Sequence, residues 1–151
     1  MASIRSTIVA NIISEMEDLR TDATFSNSSV KKVSSTIENI QHQLTDETSF
    51  VMVVDTGNEI YVVPDPTHTR YSFDVEVLAY VKGRTTSDGI AELNNIIADV
   101  KQWVNAGPSL GSNVFAIDWI ENTGSQFDGE HNQMYTTMLL RVVYWAIHGT
   151  Y

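Results

Sequence analysis

Apolar and polar residues alternate most regularly over residues 71–83, which read YSFDVEVLAYVKG. Every second residue is apolar: Tyr71, Phe73, Val75, Val77, Ala79 and Val81. The intervening set is acidic at first and mixed later: Ser72, Asp74, Glu76, Leu78, Tyr80 and Lys82. A period of two predicts a strand with one face in the core. The second face ends in large apolar side chains, so we expect more than water to cover it.

Helical spacing of apolar residues appears in three other stretches. Ile4, Ile8, Ile12 and Met16 predict an amphipathic helix over about residues 3–20. A capping box at residues 35–38 and the apolar residues after it predict a short helix over about 36–45. A third helix begins near Thr86 or Ser87 and ends before Gly107 and Pro108, which favour a helix stop. Its predicted apolar stripe consists of Ile90, Leu93, Ile97, Val100 and Val104.

The remaining apolar runs predict strands. Residues 30–34 form a short candidate, and FVMVVD and EIYVV are two runs with the turn sequence TGN between them. Residues 113–121 and 133–147 close the chain as strands, while 64–70 and 122–132 are expected to be loops. Short connections favour antiparallel pairing. We therefore predict one domain over residues 1–151 with an α+β fold: a single twisted, mainly antiparallel β-sheet with helices packed on one face.

Composition narrows the classes of function. Nine Lys and Arg residues against nineteen Asp and Glu residues give a net charge of −10, which disfavours general attraction to nucleic acid. The chain has no cysteine, so disulfides, thiolate catalysis and sulfur-ligated metals are excluded. We expect neither a signal peptide nor a membrane-spanning segment, since no apolar run is long enough.

Candidate chemistry is sparse. The four histidines, His42, His68, His131 and His148, do not show metal-ligand spacing, and no catalytic motif is present. Asp74 and Glu76 share one strand face, which is more typical of a solvated surface than of an acid–base pair. We therefore predict a protein that is not an enzyme and has no catalytic residue, metal or cofactor. A small binding protein or enzyme, with Asp74, Glu76 and Arg141 lining a ligand pocket, remains the alternative.

The order of these segments resembles a known family. A helix over IRSTIVANIISEM, the strand YSFDVEVLAYVKG, the helix AELNNIIADVKQWV and the closing strand MYTTMLLRVVYW together look like a tail terminator (tail completion) protein of tailed bacteriophages. The resemblance lies in the pattern of elements along nearly the whole chain. It implies a structural virion protein, assembled in the host cytoplasm, of which six copies form a ring at the neck.

The resemblance also implies partners. The ring would cap the tail tube, end its polymerisation and provide the docking surface for the head connector; another neck component, a head–tail stopper or adaptor, is the nearest alternative. DNA would pass through the channel without specific binding, beside an acidic face that includes Asp74 and Glu76. The expected subunit or tube interface consists of Leu78, Tyr80, Lys82, Leu139, Arg141, Val143 and Trp145.

Overall fold

A computed structural model describes residues 3–21, 30–34, 49–64, 68–82, 86–128 and 133–147. In these ranges the chain forms two helices and six strands. Their bounds are α1 (Ile4–Thr21), β1 (Val30–Ser34), β2 (Ser49–Pro64), β3 (His68–Lys82), α2 (Thr86–Asn105), β4 (Val114–Asn122), β5 (Gln126–Asp128) and β6 (Gln133–Ile147). The short helix predicted over 36–45 lies outside the described residues.

All six strands belong to one sheet, ordered β1-β2-β3-β6-β4, with β5 also paired to β6. β3 and β6 form its centre and pair antiparallel from His68 opposite Ile147 to Lys82 opposite Gln133. Among the described strands, only β1 and β2 pair in parallel. Parallel neighbours need a crossover of about a dozen residues or more, and residues 35–48 supply that length. The predicted α+β fold with a mainly antiparallel sheet is confirmed.

The core lies between one face of the sheet and the two helices. The odd-numbered residues of β3 from Phe73 to Val81 belong to it, as do Met134, Met138, Leu140, Val142 and Tyr144 of β6, each at most 4% exposed. Ile8, Ile12 and Met16 of α1 join the same cluster. Each fully buried side chain of this size contributes about 1.5–3 kcal/mol through the hydrophobic effect, so the two helices are held on this face.

The apolar stripe of α2 is rotated from the predicted one. Leu93, Val100 and Val104 are buried as expected, but Ile90 is 40% exposed and Ile97 only borders the core. Ile96 and Trp103 are buried instead. The stripe prediction was therefore wrong at Ile90 and at Ile97. Ile96 and Ile97 are adjacent, so spacing alone did not decide which of them faces the sheet.

The end of α2 follows the predicted stop. The last helical residue is Asn105, and the Gly107 backbone N–H donates to the carbonyl oxygen of Val104 at 3.2 Å. Gly107 has a φ of 71°, in the left-handed region that glycine adopts without a Cβ penalty. Pro108 then prevents continuation of the helix.

One predicted turn lies inside a strand. FVMVVD and EIYVV form the single strand β2, and TGN is an irregularity within it, because Thr56, Gly57 and Asn58 together face only Asp74 of β3. The Thr56 hydroxyl donates to the carbonyl oxygen of Asp74 at 2.9 Å and accepts from the Asn58 N–H at 3.2 Å, so the extra residues remain hydrogen-bonded. The turn prediction was wrong because side-chain bonding holds the chain in the sheet.

Both predicted loops are shorter than expected. Residues 126–128, predicted as loop, form β5 and pair with residues 133–135 of β6. The segment predicted as loop 64–70 begins inside β2 and ends inside β3, which leaves 65–67 between the strands and outside the described residues. Short polar strands such as β5 carry no apolar alternation, so periodicity does not detect them.

Candidate interaction surface

The sheet face opposite α1 and α2 carries the predicted site residues. We call this the outer face and define it by alternate residues of the two central strands: Ser72, Asp74, Glu76, Leu78, Tyr80 and Lys82 of β3, and Gln133, Tyr135, Thr137, Leu139, Arg141, Val143 and Trp145 of β6. The assignment follows from the period of two, since the intervening residues point into the core. Most outer-face residues are half-buried.

All seven residues predicted as an interface belong to the outer face. They lie on the paired strands β3 and β6. In this pairing Asp74 is opposite Arg141, and Glu76 is opposite Leu139. The sequence-predicted residues are therefore brought together on one surface. Their role as a contact with another chain stays a prediction.

An ion pair occupies the centre of the outer face. The Arg141 guanidinium donates from Nε to Oδ1 of Asp74 at 2.9 Å and from the terminal nitrogen to Oδ2 at 3.4 Å. The hydrogen bond to Asp74 and the charge of that carboxylate raise the pKa of Arg141, with a smaller contribution from Asp118 of the neighbouring strand. Arg141 therefore neutralises part of the acidic surface expected at Asp74.

Two tyrosines cover the far end of this surface. The rings of Tyr80 and Tyr135 lie 5.7 Å apart between centroids, and Tyr80 is only 7% exposed. The Tyr135 hydroxyl donates to Oε1 of Gln126 in β5 at 2.7 Å. Burial raises the pKa of Tyr80, and the charges of Tyr135 and Glu76 add to that effect. The chain thus covers part of its own apolar strand face with Tyr135.

Exposed apolar residues that sequence reasoning missed extend this surface sideways. Ile60 of β2 is 59% exposed and lies opposite Ser72. Phe115 of β4 is 60% exposed at a bulge, and the Arg70 guanidinium lies 4.3 Å from the centroid of its ring. Both residues are visible in the sequence as apolar, but only the strand order and register place them on the same sheet face as Val143 and Trp145.

A polar cluster on the opposite face ties α1 to the sheet. The Tyr144 hydroxyl donates to Oε1 of Glu59 at 2.6 Å, and Arg5 of α1 lies 3.6 Å from the same oxygen. The Arg5 guanidinium also lies 4.6 Å from the centroid of the Phe73 ring. Burial and the bond to Glu59 raise the pKa of Tyr144 well above its ordinary value. This cluster joins α1, β2, β3 and β6, which is a structural role.

No group of three or more acidic, histidine or cysteine side chains is arranged within the described ranges to hold a metal ion. Neither described helix is long and apolar enough to cross a membrane. His42, His131 and His148 fall outside the described residues.

Chains of known structure include proteins with a similar fold. A chain in a solved structure described as the virion of a native gene transfer agent (GTA) particle superposes with a TM-score of 0.57. The two sequences are 11% identical, and the match covers 87% of this chain and 91% of that one. No family model and no curated protein matches the sequence. The two chains therefore share a fold along nearly their whole lengths.

Proposed function

We propose that this protein is a structural component of a phage-like virion, of the tail terminator type. In this role, six copies of the chain form a ring at the neck that caps the tail tube, ends its polymerisation and receives the head connector. DNA passes through the ring without specific binding. The proposal assigns no catalytic reaction, metal or cofactor.

The observation that carries the proposal is the near-complete fold match to a chain of a GTA virion, which covers 87% of this chain. A match over most of both chains concerns the general arrangement of helices and strands rather than one common motif. The order of elements in the sequence independently resembles that of a virion protein family. Structural likeness at this identity supports the class of protein, and the terminator role is our inference within that class.

The outer face supports self-association. Leu139, Val143 and Trp145 are half-buried on a sheet face to which neither described helix contributes, and Ile60 and Phe115, on flanking strands of the same face, are more than half exposed. Monomeric proteins seldom present many large apolar residues together. Contact with another copy or with the tail tube would remove this surface from water.

Acidity is consistent with a DNA passage. The net charge of −10 gives the ring a negative field that discourages adhesion of phosphate. On the outer face, Glu76 lies opposite the apolar Leu139, whereas Asp74 is paired with Arg141. We assign the repulsion to the net charge of the whole ring rather than to Asp74.

Deletion of the gene from its phage-like genome tests this function. If the chain terminates tails, the particles should separate into filled heads and unjoined tails of irregular, excessive length in negative-stain electron microscopy. Supplying the intact gene in trans should restore joined particles. Normal tail lengths with unjoined heads would instead indicate a stopper or adaptor, and fully normal particles would contradict a neck role.

A further inference from the structure

Among the described residues, each of the two outermost strands of the sheet has a strand partner on one side and none on the other. β1 pairs there only with β2, and β4 pairs only with β6. Each of these strands therefore presents a row of backbone N–H and C=O groups, which can pair with a strand from another chain.

The edge at β4 lacks two of the features that prevent such pairing. β4 contains neither proline nor lysine, and two large apolar residues, Phe115 and Ile120, are 60% and 40% exposed. Bulges near its two ends leave residues 116–119 in regular register. An open cleft of about 470 Å³ lies beside this run, between α2 and β4, and is lined in part by Val104, Ile117 and Trp119.

The sequences of the two edge strands are complementary in charge. β1 reads VKKVS and includes two of the nine cationic residues of the chain without any acidic residue. β4 reads VFAIDWIEN and includes Asp118 and Glu121 without any cationic residue. Opposite charges on adjoining strands favour pairing and help to fix which strands meet.

These two strands cannot meet within one copy. Four strand intervals separate β1 from β4, a distance of about 19 Å at roughly 4.8 Å per interval. A contact between them must therefore join two copies. It would use different surfaces on the two partners, and such head-to-tail contacts generate a ring when the rotation closes.

We infer that β1 of one copy adds to the β4 edge of the next, so that the sheets of neighbouring copies are continuous. This inference rests on the ring proposed above, because it supplies the contact that joins its subunits. The regular run of β4, residues 116–119, is close in length to the five residues of β1. Lys31 and Lys32 then lie beside a strand that carries Asp118 and Glu121.

Disulfide trapping tests the inference directly, because the natural chain has no cysteine. In the double variant K32C/D118C, mild oxidation should give a ladder of covalent oligomers on a non-reducing gel. A disulfide requires Cα atoms about 4.4–6.8 Å apart, so a bond between these positions cannot form inside one copy. The variant K32C/N95C is the matched control, since Asn95 is exposed on α2 rather than on a strand edge or on the outer face, and it should give no ladder. Purified protein is used alone at high concentration and then bound to tail tubes.

A charge exchange provides a second test that does not depend on exact register. K32E and D118K should each weaken self-association at low salt, and the double variant K32E/D118K should recover most of it. Far-UV circular dichroism of each variant reports whether the fold is intact. Rings that form without a K32C/D118C ladder, or with an equal ladder in the control, would contradict the edge contact but not the neck function. A K32C/D118C ladder from protein that has no effect on tails would support the edge contact and contradict the neck function. Protein that stays monomeric both alone and with tubes would contradict the edge contact.

Discussion

Asp74 and Arg141 show how a single pair changes the character of a surface. The Arg141 side chain is 40% exposed and that of Asp74 18%, and exposed ion pairs contribute only about 0–1 kcal/mol to stability. Their effect is mainly on charge. The pair neutralises Asp74, while Glu76 and, on the neighbouring strand, Asp118 keep acidic charge close to it.

Tyr144 is the residue whose ionisation should govern stability in alkali. Its pKa in the folded protein is raised from an ordinary value of 10.0, first by burial and then by its bond to Glu59. Above about pH 10 the unfolded chain therefore loses this proton while the folded chain keeps it. Stability that is complete below pH 10 is then lost as the pH rises, by up to about 1.4 kcal/mol per pH unit for one proton.

Tyr144→Phe should remove this part of the pH dependence. Chemical denaturation between pH 8 and pH 11 should give a shallower fall of the free energy of unfolding for Tyr144→Phe than for the natural chain. At neutral pH the lost hydrogen bond should cost only about 0.5–1.5 kcal/mol. Glu59→Gln is the control: burial is the larger cause, so most of the slope should persist. Parallel curves for the natural chain and Tyr144→Phe would show that Tyr144 does not control this range.

At the scale of elements, α2 offers the sharpest test of packing. Leu93 and Ile96 are at most 1% exposed, whereas Ile90, one turn earlier, is 40% exposed. Truncation of a buried leucine or isoleucine to alanine costs about 2–5 kcal/mol. Leu93→Ala and Ile96→Ala should therefore lower the denaturation midpoint strongly.

Ile90→Ala is the matched control, because it deletes an aliphatic side chain from the same helix. Surface substitutions usually change stability by about 0.5 kcal/mol or less, so its unfolding curve should nearly overlie that of the natural chain. A loss from Ile90→Ala as large as that from Leu93→Ala would mean that α2 meets the sheet through a different face.

The sequence predicted those elements whose periodicity is strong. α1, β3, α2 and β6 were all predicted close to their bounds, since each buries one regular stripe. β2 was predicted as two strands because Gly57 and Asn58 favour turns locally, and the pairing partner β3 that overrides this preference is not visible in local pattern. β5 was missed because its three residues gain stability from pairing with β6 rather than from apolar burial.

Prediction of the candidate surface was partial for the same reason. Alternation in β3 and β6 identified which residues face away from the helices. It did not reveal that Arg141 faces Asp74, or that Ile60 and Phe115 extend the surface, since these depend on register between strands. Complementary charge on β1 and β4 was present in the sequence, but it acquired meaning only when the strand order placed them at opposite edges.

At the scale of the whole molecule, two features agree with the proposed assembly into a ring. One sheet face carries partly exposed apolar residues, and the two sheet edges are complementary in charge. A ring uses both edges of every copy, so no unpaired strand remains to recruit further chains. A terminator also requires that one face of the ring binds the tail tube and that the other face does not accept further tube protein.

Tube length is the measurement that tests this account most directly. Tail tube protein is polymerised with increasing amounts of this chain, and tube lengths are measured by negative-stain electron microscopy. The account predicts that mean length falls as the chain is added, and that rings are visible at the tube ends. A matched amount of Leu93→Ala protein, which has lost core packing, should shorten the tubes less. Tubes of unchanged length, with no rings at their ends at any ratio, would contradict the proposed function.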